Sequence, residues 1–257
     1  MRANSLKRKL LAREPCRGVW LSVPSVPSAR LLSRLPADWF AIDAEHGPMG
    51  AETMTHLVAV LADAGRPAVV RIAQGSVENV KRALDAGAAG IIAPMVNSRA
   101  EARAVVAAAK YPPLGQRSFG SAWAGLAFDM SMAEYRRWAN EETLALVQLE
   151  SEAALDDLDG IMGVAGVDGI FVGPVDLAIS LGVEPDLDNP HPLVREALAE
   201  ILGAAAAHGL PVGIYCSGAQ GAAERVREGF LLVNVASDVG ALLHGVRSQL
   251  EWTPAPA

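Results

Sequence analysis

Cysteine is nearly absent: Cys16 and Cys216 are the only two in 257 residues. That excludes a disulfide framework and makes a reducing cytoplasm the simplest compartment. No apolar run approaches the roughly eighteen residues that a membrane span requires, so no membrane partner is expected. Positive charge is in deficit, with 22 Lys and Arg against 29 Asp and Glu and a net charge of −7. Nucleic acid needs a basic face and is therefore excluded as a partner. No GxGxxG follows any apolar segment, which argues against a dinucleotide fold. The basic start MRANSLKRKLL lacks the apolar region and cleavage site of a targeting peptide. It reads as a helix with Ser5 at its N-cap. Residues 1–4 and 252–257 read as frayed.

Short apolar runs are abundant. They are RGVWLSV from Arg17, WFAID from Trp39, PAVVRIA from Pro67 and GIIAPMV from Gly90. LALVQLE from Leu144, GIFVGPVD from Gly169, PVGIYCS from Pro211 and LLVNVAS from Leu231 complete the set. Each is continuously apolar rather than alternating, as parallel strands covered on both faces should be. Ala-rich helical stretches at 52–64, 77–86 and 98–110 lie between them. Eight such units predict one (β/α)8 TIM barrel over 1–257, with an N-terminal helix. A doubly wound sheet is the second choice. The connection over 111–140 is abnormally long, and long loops are often functional. It predicts an ordered loop followed by a helix over 132–139, inserted before the fifth strand.

In such a barrel the C-terminal strand ends build the active site. Reading those ends yields Asp43, Glu45 and His46 after the second strand and Arg71 in the third. The fifth yields Gln148 and Glu150, and the sixth Gly173, Pro174 and Asp176. Buried singly and unpaired, these groups would be costly. Converging on one cavity, they satisfy one another and a ligand. Glu150 and Asp176 are hard oxygen donors that suit Mg²⁺ or Mn²⁺. Arg71 is permanently charged and forks onto a carboxylate or enolate oxygen. His46 titrates near neutrality and is the natural proton carrier. Taken alone, Asp43 reads equally as a helix cap and Glu45 as a loop ion pair. Cys216 reads as a small buried hydrophobe, and His56, His191, His208 and His244 receive no role.

The segments DAEHGP, VVRI, LDAGAAGIIAPMV, KYPPLGQRSFG, VQLES and GVDGIFVGPVDLAISLG together resemble the metal-dependent pyruvate aldolases. These include 4-hydroxy-2-oxoheptanedioate and 2-dehydro-3-deoxyglucarate aldolases. The resemblance runs from about Leu6 to Leu250. It implies a divalent cation (Mg²⁺ or Mn²⁺, with Co²⁺ and Zn²⁺ as alternatives) and reversible cleavage of a 4-hydroxy-2-oxo acid to pyruvate and an aldehyde. It makes Glu150 and Asp176 the metal ligands, His46 the base, Arg71 the transition-state stabiliser and Gln148 a substrate contact. The backbone around Val175, beside Gly173 and Pro174, would hold the pyruvate carboxylate. Val175 stands where the family has a smaller Ala, so the pocket there is altered. Asp85 matches a family Asp that makes the His more basic, a role Asp43 could share. Yet Asp85 ends a helix leading to the opposite barrel end. A neighbouring subunit must then supply it, and the resemblance implies a homohexamer built as a trimer of dimers.

Lysine scarcity is an independent check. Lys7, Lys9, Lys81 and Lys110 are the whole complement, and all fall in or beside predicted helices. A Schiff-base lysine inside the barrel is excluded. Three competing functions are weaker. A sugar-acid aldolase, such as a 2-keto-3-deoxyrhamnonate aldolase, changes only the aldehyde. A citrate-lyase-like CoA-thioester lyase wants a basic cluster near the strand ends, which is missing. A non-catalytic metabolite-binding barrel has little need of a base. SGAQG from Ser217 as a phosphate loop is weaker still.

Overall fold

A computed structural model describes residues 3–120 and 122–251. Eight parallel strands close into a barrel in chain order. They are β1 (Cys16–Leu21), β2 (Trp39–Asp43), β3 (Ala68–Arg71), β4 (Gly90–Ala93), β5 (Leu144–Leu149), β6 (Gly169–Val172), β7 (Val212–Ile214) and β8 (Leu232–Ser237). Closure of β8 onto β1 confirms the α/β barrel and removes the doubly wound sheet.

Side-chain alternation sorts these apolar strands into two cores. In β2, Phe40 and Ile42 pack outward against the helices, whereas Trp39 and Ala41 fill the barrel axis. β3 repeats this with Val70 outside and Val69 inside. In β5, Ala145, Val147 and Leu149 face out while Leu144 and Leu146 face in. Continuous apolarity therefore hides a strict period of two. Gly18 is Trp39's register partner on β1. A Cβ at Gly18 would overlap the indole, so only glycine leaves room for Trp39.

The N-terminal helix (Ser5–Leu11) plugs the lower end of the barrel with Leu6 and Leu10, both part of the inner core. Its N-cap is Asn4, not Ser5. The Asn4 amide accepts from Lys7 N and also donates to Ala89 O and Glu142 O at 2.9 and 2.8 Å. A serine hydroxyl could not serve all three groups. Asn4 is thus buried rather than frayed. The fraying expected for 1, 2 and 252–257 concerns residues outside those described.

Two further boundaries differ from expectation. GIFVGPVD is not all strand: β6 stops at Val172, and a helix begins at Pro174 (Pro174–Ser180). Proline lacks the N–H a strand ladder needs, but it suits the first helical position. The long connection does contain its expected helix (Met132–Glu142), closed by a Ser131/Glu134 capping box. It also holds a short helix earlier (Ala122–Ala127), too brief to show a period in sequence. Tyr111, Phe128, Met130 and Tyr135 give this connection a core of its own. No helix among the described residues is long and apolar enough to cross a membrane.

Lys110 is buried below the barrel. Its ammonium donates to Asn140 O, Thr143 O and Asp168 Oδ2 at 3.1, 2.9 and 2.7 Å. Asp168 also receives Lys7 Nζ at 2.6 Å and the Ala145 amide at 2.9 Å. This carboxylate ties the plug helix, the long connection and β5 together. Removing one partner of a buried pair costs about 3–5 kcal/mol, because the other charge is left uncompensated. Asp168→Ala should lose stability on that scale in urea denaturation, since it strands Lys110.

Candidate active site

The alternation that hides inside the strands also aims the polar residues. Continuing the inward column upward puts Ser22 above Trp20, Asp43 above Ala41, Arg71 above Val69, and Gln148 then Glu150 above Leu146. A cavity of about 570 Å³ opens there, lined by Trp20, Asp43, His46, Arg71, Gln148 and Asp176 among others. Asp43, His46, Arg71, Gln148 and Asp176 thus share one space, with Gly173, Pro174 and Val175 in its wall; Glu45 and Glu150 do not line it but contact Arg71 and Gln148, which do.

Asp43 and Arg71 are register partners on adjacent strands. Both face inward, so they must meet. Arg71 forks onto Asp43 with Nε–Oδ1 at 3.0 Å and Nη2–Oδ2 at 2.7 Å. Asp43 also accepts from Trp20 Nε1 at 3.2 Å and from the amides of Glu45 and His46 at 3.3 and 3.2 Å. Burial works to raise the Asp43 carboxyl, but hydrogen bonding and charge from Arg71 outweigh it and hold it below the ordinary range. The guanidinium carbon lies 5.0 Å over the Trp20 ring. Its remaining nitrogen, Nη1, stands 3.2 Å from Glu45 Oε2. That contact is an ion pair without hydrogen-bond alignment, since Oε2 has no aligned donor.

His46 sits at the mouth, its side chain 66% exposed, with Nε2 3.8 Å from Glu45 Oε2. Asp43 touches the His46 amide and not its ring. The carboxylate beside the imidazole is Glu45.

Glu150 is 3% exposed. Oε1 accepts from the Met95 amide at 2.8 Å, and Oε2 meets Gln148 Nε2. Burial pushes its carboxyl up, and the charge of Asp176 adds to the shift. Among the described residues no Lys or Arg forms an ion pair with it. Asp176 lies in the first turn of the helix after β6, exposed to the cavity, rather than on a strand end. A buried carboxylate without a cation, facing a second carboxylate, is costly unless a cation binds. The donor set is all oxygen and suits a hard divalent ion. A Cβ at Gly173 would overlap Glu150 Oε2 and crowd Gln148, so glycine is required for the strand and this carboxylate to pack so closely.

Asp85 is elsewhere. It ends the helix Val77–Asp85, which runs back down the barrel from β3, and its Oδ1 accepts from Arg117 Nη2 at 2.8 Å. Arg117 is buried between Tyr111 and Tyr135, 4.7 and 5.5 Å from their ring centres. Asp85 lines a second cavity of about 710 Å³ with Arg82, Phe119 and Trp123. It does not reach His46 of its own chain. Cys216 is buried, its thiol pushed up to about 12 by burial, as suits a small hydrophobe.

Trp20, Ser22, Phe171, Tyr215, Ser237 and Val239 also line the site and were not singled out from sequence. Strand parity identifies the first four as inward residues. Ser237 follows a register shift between β1 and β8, which sequence parity cannot anticipate.

The HpcH/HpaI aldolase/citrate lyase family profile matches residues 17–245. The chain belongs to this family. The hydroxypyruvate/pyruvate aldolase of Rhizorhabdus wittichii is 36% identical over 233 residues, 91% of this chain and 92% of its own length. The 2-keto-3-deoxy-L-rhamnonate aldolase of Klebsiella pneumoniae is 37% identical over 211 residues, 82% of this chain and 78% of its own. A crystal structure of an HpcH/HpaI family protein from Burkholderia cenocepacia superposes with a TM-score of 0.88 at 35% identity, over 96% of this chain and 98% of that one. Like its named relatives, the chain is an aldolase, a lyase that breaks a carbon–carbon bond in the retro-aldol sense.

The raised carboxyl of Glu150 has a definite sign. A carboxyl whose folded pKa exceeds its unfolded value costs stability when ionised, and that cost grows as pH rises from the unfolded to the folded pKa. Near neutrality the charge opposes folding unless a cation is bound. Metal-free Glu150→Gln should therefore melt higher than metal-free wild type, by about 2–4 °C for each roughly 1 kcal/mol recovered in a chain of this size. Added Mn²⁺ should raise the wild-type melting temperature and leave Glu150→Gln unmoved. Gly173→Ala, by displacing Glu150, should also abolish the Mn²⁺ response. Thermal melts with and without the ion check all three.

Proposed function

We propose that this aldolase cleaves a 4-hydroxy-2-oxo acid to pyruvate, or a close 2-oxo acid, and an aldehyde. Glu150 and Asp176 would hold a divalent cation, Mg²⁺ or Mn²⁺ before Co²⁺ or Zn²⁺. The observation that carries the reading is Glu150, buried and without a Lys or Arg ion pair among the described residues, near a rigidly clamped Arg71. When bound, the cation would supply Lewis-acid stabilisation to the oxygens of the 2-oxo acid.

The chain's own groups divide the remaining tasks. Gly173 offers no side-chain cap to the helix behind it. The amides of Val175 and Asp176 are thereby left for the substrate carboxylate. Arg71, oriented by Asp43 and Trp20, presents guanidinium N–H groups toward the 2-oxo oxygen, where negative charge develops on bond cleavage. The orientation is fixed beforehand, so no reorganisation is needed at the transition state. Gln148 lines the cavity and its Oε1 has no hydrogen-bond partner among the described residues, so its amide is the candidate substrate contact. His46 takes the 4-hydroxyl proton as the C3–C4 bond breaks. Glu45 stands beside it, 3.8 Å from Nε2.

The assembly is read as a homohexamer, a trimer of dimers, in which Asp85 of one copy approaches His46 of another. Two surfaces support association. The C-terminal helix (Asp238–Leu250) leaves Leu242, Leu243, Val246 and Leu250 at least half exposed, and the cavity beside Asp85 carries exposed Phe119 and Trp123. A cytoplasmic location suits two free, buried cysteines. The relatives differ in the sugar acid or 2-oxo acid that their names carry, so the aldehyde half is open. A sugar-acid substrate is compatible with the site. A CoA thioester is disfavoured, since Arg71 is the one Lys or Arg among the cavity-lining residues.

Pyruvate methyl-proton exchange in D₂O, with Mn²⁺ and no aldehyde, isolates the enolate step. Arg71→Ala should slow it by about 10²–10³, the typical cost of one such donor. Because Arg71→Ala also strands Asp43, Arg71→Lys is the cleaner variant; it keeps the charge, loses the fork and should recover only part of the rate. Exchange at the wild-type rate in Arg71→Ala would make the residue a structural ion pair and end the enolate assignment.

A further inference from the structure

The enolate machinery comes from β2, β3, β5 and the helix after β6. The facing wall comes from β1, β7 and β8. It carries Trp20, Ser22, Tyr215 and Ser237. Ser22's hydroxyl is already turned to Asp43, 3.4 Å away. The other two are not committed to the enolate groups. Ser237 Oγ accepts from the Gly240 amide at 3.0 Å, so its hydroxyl proton remains available to donate. The Tyr215 ring lines the cavity and stands edge-on to Trp20 with centroids 5.2 Å apart. Burial pushes the phenol up, so it keeps its proton at neutral pH.

C2 of a 2-oxo acid has three substituents. On the proposed function, on which this inference rests, the carboxylate faces the amides after β6, and the oxo oxygen faces Arg71 on β3. The third substituent, C3, is then left toward β1, β7 and β8. A bare methyl there would meet Trp20 well but would leave the phenol and the serine hydroxyl facing apolar hydrogens. Polar groups placed against a substrate position discriminate strongly for a substrate that can pair with them.

We propose that Tyr215 and Ser237 form a hydroxyl subsite for C3 of the 2-oxo acid, so that the enzyme favours a donor bearing a 3-hydroxyl over one bearing a methyl. Leu or Phe at position 215 would pack on Trp20 equally well. The phenolic oxygen is therefore the part of this side chain that the packing does not account for. The subsite involves neither the cation ligands nor Arg71, and it acts before any aldehyde arrives.

The test measures C3-proton exchange in D₂O for hydroxypyruvate and for pyruvate, with Mn²⁺ present, no aldehyde, and the enzyme-free rate subtracted. The quantity read is the ratio of the two kcat/KM values. Tyr215→Phe should lower the hydroxypyruvate-to-pyruvate ratio by about two- to tenfold, the range set by one neutral hydrogen bond. Ser237→Ala should move it in the same direction. Ser237 also caps the C-terminal helix, so if its variant misfolds, Tyr215→Phe decides alone. A ratio unchanged in folded Tyr215→Phe overturns the subsite. A ratio that moves only when an aldehyde is added assigns the hydroxyls to the other half of the substrate, and equally overturns it. If wild type exchanges neither donor, the enolate reading itself fails and this inference falls with it.

Discussion

The fork between Asp43 and Arg71 is the constraint around which the site is arranged. Register pairs the two residues across β2 and β3, and strand parity turns both inward. Each charge would be costly alone in this setting, and each makes the other tolerable. The pair then orders its neighbours. Trp20 packs on the guanidinium and donates to the carboxylate. The amides of Glu45 and His46 bind the same carboxylate, so the turn that carries His46 is anchored to the group that orients the Arg71 guanidinium. One ion pair thus couples the position of the proposed proton carrier, His46, to that of the proposed stabiliser, Arg71.

Much of this architecture was legible in the sequence. The eight apolar runs became the eight strands, because parallel strands buried on both faces must be apolar throughout. Asp43, His46, Arg71, Gln148 and Asp176 share one cavity, because polar residues at the ends of such strands are costly unless they satisfy one another. Asp176 was identified but misplaced in type, since Pro174 starts a helix and not the end of a strand. Glu45 was read as a strand-end residue, but its place between Arg71 and His46 depends on a turn that only coordinates describe. Tyr215 passed as strand filler because an aromatic in an apolar run signals burial and says nothing of direction. Ser237 was beyond reach, because the register shift beside it reverses the parity on which any such reading relies.

The two ends of the barrel divide stability from chemistry. The lower end is closed by satisfied polar groups: Asn4 bridges Ala89 and Glu142, and Asp168 joins Lys7 and Lys110. The upper end keeps two buried oxygens without a donor among the described residues, Gln148 Oε1 and Glu45 Oε2, and the buried carboxylate of Glu150, which is held by an amide and Gln148 rather than by a Lys or Arg. Arg117 sits in the long connection, stacked between two tyrosines and bonded to Asp85, with its Nε unpaired among the described residues. That connection has its own small core, so its position does not depend on the residues that face the cavity.

The separation of the cavity into two walls has an evolutionary consequence. On the proposed mechanism bond cleavage depends on β2, β3, β5 and the turn after β6, whereas Tyr215, Ser237 and Val239 belong to segments that contribute no charged group to that task. Substitutions in β7 and β8 can therefore reshape what the enzyme accepts while the reactive constellation stays intact. A lineage carrying this barrel is free to drift among related oxo acids by single steps, each intermediate still a working aldolase.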